Sequence, residues 1–195
     1  MKKLLITGFD PFGGEPINPS WEAVKRLPDR IGDYEIVKMQ LPTVFGKAAS
    51  ILLDRAREEK PDVIVSVGQA GGRPAVTPEF VGINQRVARI PDNEGNTPMD
   101  QKICEDGPDG LFATVPVRAM VDAMTQAGYP ASVSYTAGAY VCNDVLYTLL
   151  HHFSGTATRC GFIHVPFLPS QAKNGQPSLE LESIIHALEA AISVL

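Results

Sequence analysis

The amino-acid sequence predicts an α/β protein, a three-layer α/β/α sandwich around a mixed, mainly parallel twisted sheet. Three observations predict it. Short β-rich runs alternate with helical patterns from the first residues onward. The run from Asp62 to Val67 is continuously apolar and β-branched, as in a strand buried on both faces. Glycine- or proline-rich turns follow Thr7, Val67 and His164, at the expected carboxyl ends of strands, where ligands sit in such sheets.

Leu4 to Thr7 reads as the first strand. Asn18-Pro19-Ser20 opens a helix through Leu27, with Asn18 as its cap and Pro19 in the first helical position, where no N–H is needed. Tyr34 to Gln40 alternates as a strand, and Phe45 to Glu59 carries Ala48, Ile51, Leu52 and Ala56 at helical spacing. Beyond Val67 come a turn at Gly68 to Gly72, a strand expected from Glu79 to Ala88, and a turn-rich stretch from Pro91 to Gly110, the expected functional loop. The second half predicts helices over Val117 to Ala127 and Asn143 to His152, strands over Ser132 to Tyr135 and Gly161 to Val165, and a closing amphipathic helix from Leu179 to Leu195.

The 195 residues suit one domain spanning 1–195. With 44% hydrophobic and 20% charged residues the composition is globular, and a net charge of -5 with scattered Lys and Arg argues against nucleic acid. No run approaches the roughly 20 apolar residues of a membrane span. The amino terminus has no signal-peptide pattern, and three widely spaced cysteines suit a reducing compartment, so a cytoplasmic location is expected.

Cys142 is the reactive candidate among Cys104, Cys142 and Cys160. It follows the flexible Ala137-Gly138-Ala139 turn and directly precedes the expected helix, where free N–H groups and the helix dipole favour a thiolate. Cys104, in a polar loop, and Cys160, at a strand mouth, read as structural. His151 and His152 fall late on a helix and His186 on the last one, whereas His164 ends the apolar run Gly161 to Val165 at a strand's carboxyl end. His164 is therefore the base candidate. No metal or cofactor is expected: Cys160 and His164, four apart on a strand, stand about 13 Å from one another, too far to share a zinc. A carboxylate to hold the second imidazole nitrogen is needed, and spacing alone leaves Glu79, Glu94 and Asp92 open.

Five segments occur in order: Gly8-Phe9-Asp10-Pro11-Phe12-Gly13-Gly14 with Asn18-Pro19-Ser20; Gly68-Gln69-Ala70-Gly71-Gly72-Arg73 with Pro78-Glu79; Arg89-Ile90-Pro91-Asp92-Asn93-Glu94-Gly95-Asn96; Ser134 to Gly138 leading to Val141-Cys142-Asn143; and Gly161 to Pro166. Together they resemble the pyroglutamyl peptidase I, or pyrrolidone carboxyl peptidase, family over nearly the whole chain. The resemblance implies a cysteine exopeptidase that hydrolyses the bond after an N-terminal pyroglutamyl residue of a peptide through a thioester. It implies Cys142, His164 and Glu79 as the triad and Arg89 at the oxyanion, with the Cys142 N–H as a second donor. It also implies Phe9, Phe12, Ile90 and Val141 as walls for the lactam ring, with Thr43 nearby and Asn18 and Gln69 as polar contacts, and a homotetramer. Read without it, Phe9 and Phe12 are core residues. Tyr140 departs from the resemblance by bringing a hydroxyl where relatives often carry Phe.

Two rival readings remain. Gly68 to Arg73 is a candidate anion cradle for a phosphate or nucleoside, although Gly-Lys-Ser/Thr is missing. A non-catalytic scaffold would leave Cys142 an ordinary thiol.

Overall fold

Successive side chains of a strand point to opposite faces, and helices cover both faces of the central sheet. The computed structural model describes residues 1–195. In chain order its first half holds β1 (Lys2–Phe9), α1 (Pro19–Val24), β2 (Arg30–Ile31), β3 (Tyr34–Leu41), α2 (Lys47–Glu59), β4 (Val63–Gln69), β5 (Thr77–Pro78) and β6 (Val81–Ile83). There follow β7 (Gly110–Phe112), α3 (Val117–Gln126), α4 (Val141–His152), β8 (Arg159–Val165) and α5 (Leu181–Ile192).

Six strands form one sheet in the order β2-β3-β1-β4-β8-β5. The four central strands are parallel, and β2 and β5 close the two edges antiparallel. Leu4, Ile6, Val63, Val65, Val67, Ile163 and Val165 face one apolar layer, covered by residues of α1, α3 and α5. Leu5, Phe9, Ile64, Cys160 and Phe162 face the other, covered by α2 and α4. The three-layer expectation is met. Each buried Leu, Ile or Phe contributes about 1.5–3 kcal/mol, so the sheet is held from both sides.

Close approach of α1 to β1 depends on Gly8, where a Cβ would lie 2.6 Å from the Trp21 Cα. Asn18 caps that helix by accepting from the Ser20 N–H at 3.1 Å, as expected. The helix ends at Val24, earlier than the predicted Leu27, and α2 starts at Lys47 because Gly46, with φ of 69°, turns the chain in front of it.

Two predicted strands are corrected. Of the stretch Glu79 to Ala88 only Val81–Ile83 is strand, paired with the unanticipated β7, and the chain then leaves sheet geometry. The reason is Asn143, whose side chain takes the Ile83 N–H and donates to the Ile83 and Gln85 carbonyls, replacing a neighbouring strand. Likewise, residues 132–135 make a single bridge, Glu79 to Ser134, instead of a strand. The turn-rich loop is ordered by buried side chains: the Asp92 carboxylate accepts from the Phe45, Glu94 and Asn96 N–H groups, and the Asn84 side chain bonds four backbone groups at residues 103–107.

Candidate active site

The nucleophile candidate sits in the first turn of a helix, not ahead of it. Tyr140 is the N-terminal cap residue of α4, making Cys142 the second helical residue. On the sheet, His164 has the same parity as Cys160 and Phe162, which face α4, so strand alternation aims its imidazole at the helix carrying Cys142. Opposite His164 on β4 stands Gly68, where a Cβ would meet the Cys142 Sγ at 2.8 Å and Phe162 Cζ at 2.8 Å. The glycine leaves the space that the sulfur occupies.

Edge strand β5 supplies the acid. Thr77 pairs with His164 and Pro78 with Ile163, and the Glu79 N–H donates to the Phe162 carbonyl at 2.9 Å. Glu79 is thereby delivered beneath the imidazole, with His164 Nδ1 2.6 Å from its Oε1. Glu79 is wholly buried and His164 is 4% exposed. Of the three carboxylates left open by the sequence, Asp92 serves loop amides and Glu94 pairs with Lys47, leaving Glu79 alone on the histidine.

Burial works against charge here, and neighbours decide the outcome. It tends to raise the Glu79 pKa, but the hydrogen bond with His164, joined by that from Arg73, prevails and holds the carboxyl below its ordinary value. Burial lowers the His164 pKa, and the hydrogen bond and charge of Glu79 only partly oppose it. Although Cys142 keeps part of its surface open, burial pushes its thiol up to about 12, aided by the Glu79 charge and resisted by Arg73 and its own backbone N–H. No hydrogen bond joins the sulfur to His164. Desolvation of the sulfur thus works against the thiolate that the start of the helix favours.

Cys142 and His164 open into one cavity of about 330 Å³. Phe9, Phe12, Asn18, Thr43, Gln69 and Arg89 also line it, bringing together six of the residues expected around a substrate. Two expected wall residues are placed differently. Val141 is fully buried in the apolar layer under the cavity, and Ile90, 45% exposed, lines an adjoining cavity that shares Phe12, Arg89 and Tyr140 with the first. Asn18 is occupied in part by capping α1 and by donating to the Asp10 carbonyl, and the Thr43 hydroxyl donates to Asp10 Oδ1 at 2.7 Å. The extra hydroxyl of Tyr140 is turned to the Pro91 carbonyl, 3.1 Å away, while its ring packs edge-on against Phe45.

Three contributors escaped the sequence reading. Gln171, 4% exposed, donates to Gln69 Oε1 at 3.1 Å, and Asp10 organises Thr43 and Asn93. Arg73, read as part of an anion cradle, instead binds Thr77, Glu79 and the Thr136 carbonyl, so the rival cradle loses its cation. Nothing local in the sequence marks Gln171, which lies 102 positions from Gln69.

A thiol and an imidazole facing one cavity at the carboxyl ends of a parallel sheet, with an acid behind the imidazole, define the class of α/β cysteine hydrolases. Comparison with known proteins narrows the class. The sequence pattern of the Pyroglutamyl peptidase family matches residues 2–195, and the chain belongs to that family. It is 52% identical over 193 residues to the pyrrolidone-carboxylate peptidase of Thermococcus onnurineus, covering 97% of this chain and 96% of the relative. It is 50% identical over 199 residues to that of Bacillus cereus, covering 100% and 93%. The crystal structure of Bacillus amyloliquefaciens pyroglutamyl peptidase I superposes with a TM-score of 0.95 at 47% identity, covering 100% of this chain and 96% of that one. No helix of the chain is long and apolar enough to cross a membrane.

Proposed function

We propose that residues 1–195 form one catalytic domain that removes an N-terminal pyroglutamyl residue from peptides, with Cys142, His164 and Glu79 as its triad. The observation that carries the reading is the 2.6 Å contact of His164 Nδ1 with buried Glu79, behind a cavity that His164 shares with the Cys142 thiol. Family membership supports the reaction and the substrate class.

Glu79 holds a proton on Nδ1, which leaves Nε2 as the free base. As the Cys142 Sγ attacks the carbonyl carbon between pyroglutamate and the next residue, Nε2 takes the thiol proton, and the C=O electron pair moves to oxygen. The Cys142 N–H and Arg89 stabilise that oxyanion. Collapse expels the amine, which takes the proton from His164, and leaves a thioester. Water attacks the thioester with His164 again as base, releasing pyroglutamate and restoring the thiol.

Phe9 and Phe12 offer apolar walls to a lactam ring that is mostly methylene, with Asn18, Thr43 and Gln69 at its polar edge. An ordinary charged amino terminus would lose its hydration there without a partner, a cost of several kcal/mol, and is rejected. The resemblance also carries a cytoplasmic homotetramer, an assembly that light scattering on the purified chain checks. The activity test is release of dye from a pyroglutamyl-linked aminocoumarin, compared with prolyl and glutaminyl analogues. Equal release from all three, or none from the pyroglutamyl amide, would remove this reading.

A further inference from the structure

The Arg73 guanidinium reaches three groups on two separate segments. Its Nη1 donates to the Thr77 hydroxyl at 2.6 Å and to Glu79 Oε1 at 2.7 Å, and its Nη2 donates to the Thr136 carbonyl at 3.0 Å. Glu79 Oε1 is also the oxygen that meets His164, whereas Oε2 is buried without a hydrogen-bond partner. One carboxylate oxygen therefore carries two charge-assisted bonds and the other none, and Arg73 is the second donor on the oxygen that meets His164. Thr136 belongs to the turn that lines the cavity and runs to the start of α4, where Cys142 stands.

We infer that Arg73 is a positioning residue of the triad: it fixes which oxygen Glu79 offers to His164 and ties that carboxylate to the segment that delivers Cys142. The inference deepens the proposed peptidase reading and rests on it. Two physical effects follow. Burial favours the protonated form of this carboxylate, and a partly exposed guanidinium at 2.7 Å adds to the His164 hydrogen bond in opposing it. The same positive charge opposes a proton on any member of the Glu79 and His164 pair, so it keeps the imidazole free to act as base at lower pH.

The test compares wild type with Arg73→Met and Arg73→Lys. With pyroglutamyl-aminocoumarin, Arg73→Met should lower kcat by roughly 10–100-fold, the equivalent of one charge-assisted hydrogen bond, with little change in KM. Its acid limb in kcat/KM should move up by about one pH unit, because the coupled pair takes up a proton more readily without the cation. Arg73→Lys keeps the charge but not the fork, so it should keep the wild-type limb and recover part of kcat. A purely structural role would lower kcat in both variants with the limb unmoved, and a substrate-binding role would raise KM with kcat intact; either result overturns the inference. Should Arg73→Met fail to fold, the lysine variant decides, since a displaced limb there contradicts a charge-based role. Iodoacetamide labelling of Cys142, followed by peptide mass mapping, reads the same electrostatics without turnover. Labelling at mildly alkaline pH should slow several-fold in Arg73→Met alone, and equal rates in all three proteins count against Arg73. A wild type that releases no dye would overturn the peptidase reading and the inference with it, whereas dye release with equal labelling in all three proteins would overturn the Arg73 assignment alone.

Discussion

His164 Nδ1 lies 2.6 Å from Glu79 Oε1, and the two residues stand 85 positions apart in the chain. The contact exists because β5 runs antiparallel to β8 at the sheet edge, with Thr77 opposite His164. It makes Glu79 the residue whose amide replacement separates orientation from packing. Glu79→Gln keeps the side-chain volume and removes the charge that orients the imidazole. Turnover of a pyroglutamyl amide should fall by about 10⁴-fold, as for the matching change in a serine triad. Wild-type kcat in this variant would exclude Glu79 from the triad.

Cys142→Ala should leave the fold intact and lower turnover by at least about 10³-fold, since binding and oxyanion contacts remain while covalent catalysis is lost. Circular dichroism checks the fold and dye release the rate. Residual activity near wild type would place the nucleophile elsewhere.

Gly68→Ala tests the space under the sulfur. The new methyl would approach the Cys142 Sγ and Phe162 Cζ to 2.8 Å each, so one must shift. A stability loss of about 1–3 kcal/mol is expected from overpacking, and a fall in kcat of about 10²-fold from a misplaced nucleophile. Urea unfolding and steady-state kinetics measure the two.

Gln171→Met removes the donor that holds Gln69 Oε1 and keeps a similar volume. Loss of one orienting hydrogen bond, about 1–1.5 kcal/mol, should raise KM for the pyroglutamyl amide about tenfold with kcat nearly unchanged. An unchanged KM would show that Gln69 needs no such support.

Activity and stability should both weaken in acid. The proposed mechanism needs neutral His164, and burial holds its pKa below the ordinary 6.5, so the acid limb of kcat/KM should have its midpoint below 6.5. In the unfolded chain His164 returns to 6.5 and Glu79 to 4.5, both above their folded values. As pH falls through 6.5 and then through 4.5, the unfolded state binds protons that the folded state refuses, and stability is lost in that direction. Calorimetry should show Tm declining across both windows, and a Tm that rises on acidification would contradict the direction of both shifts.

The central strands could be read in the sequence because burial on both faces leaves a continuous apolar run, as from Asp62 to Val67. Glu79 to Ala88 misled for a specific reason. Val81, Ile83 and Val87 have strand character, yet the partner beyond Ile83 is the side chain of Asn143 rather than a strand. Edge pairs such as Arg30–Ile31 with β3 and Gly110–Phe112 with β6 were illegible because two or three residues carry no period.

By itself the sequence determined the layer order, the cap at Asn18, and the positions of Cys142 at a helix start and His164 at a strand's carboxyl end, because periodicity and turn residues are local signals. Tertiary structure decided which acid meets the imidazole, that Arg73 serves that acid instead of an anion, that Ile90 lines a neighbouring cavity and Val141 lies in the apolar layer, and that burial of the sulfur opposes the thiolate. Those outcomes depend on strand pairing and desolvation, which bring together groups tens of residues apart and leave no mark on the spacing between them.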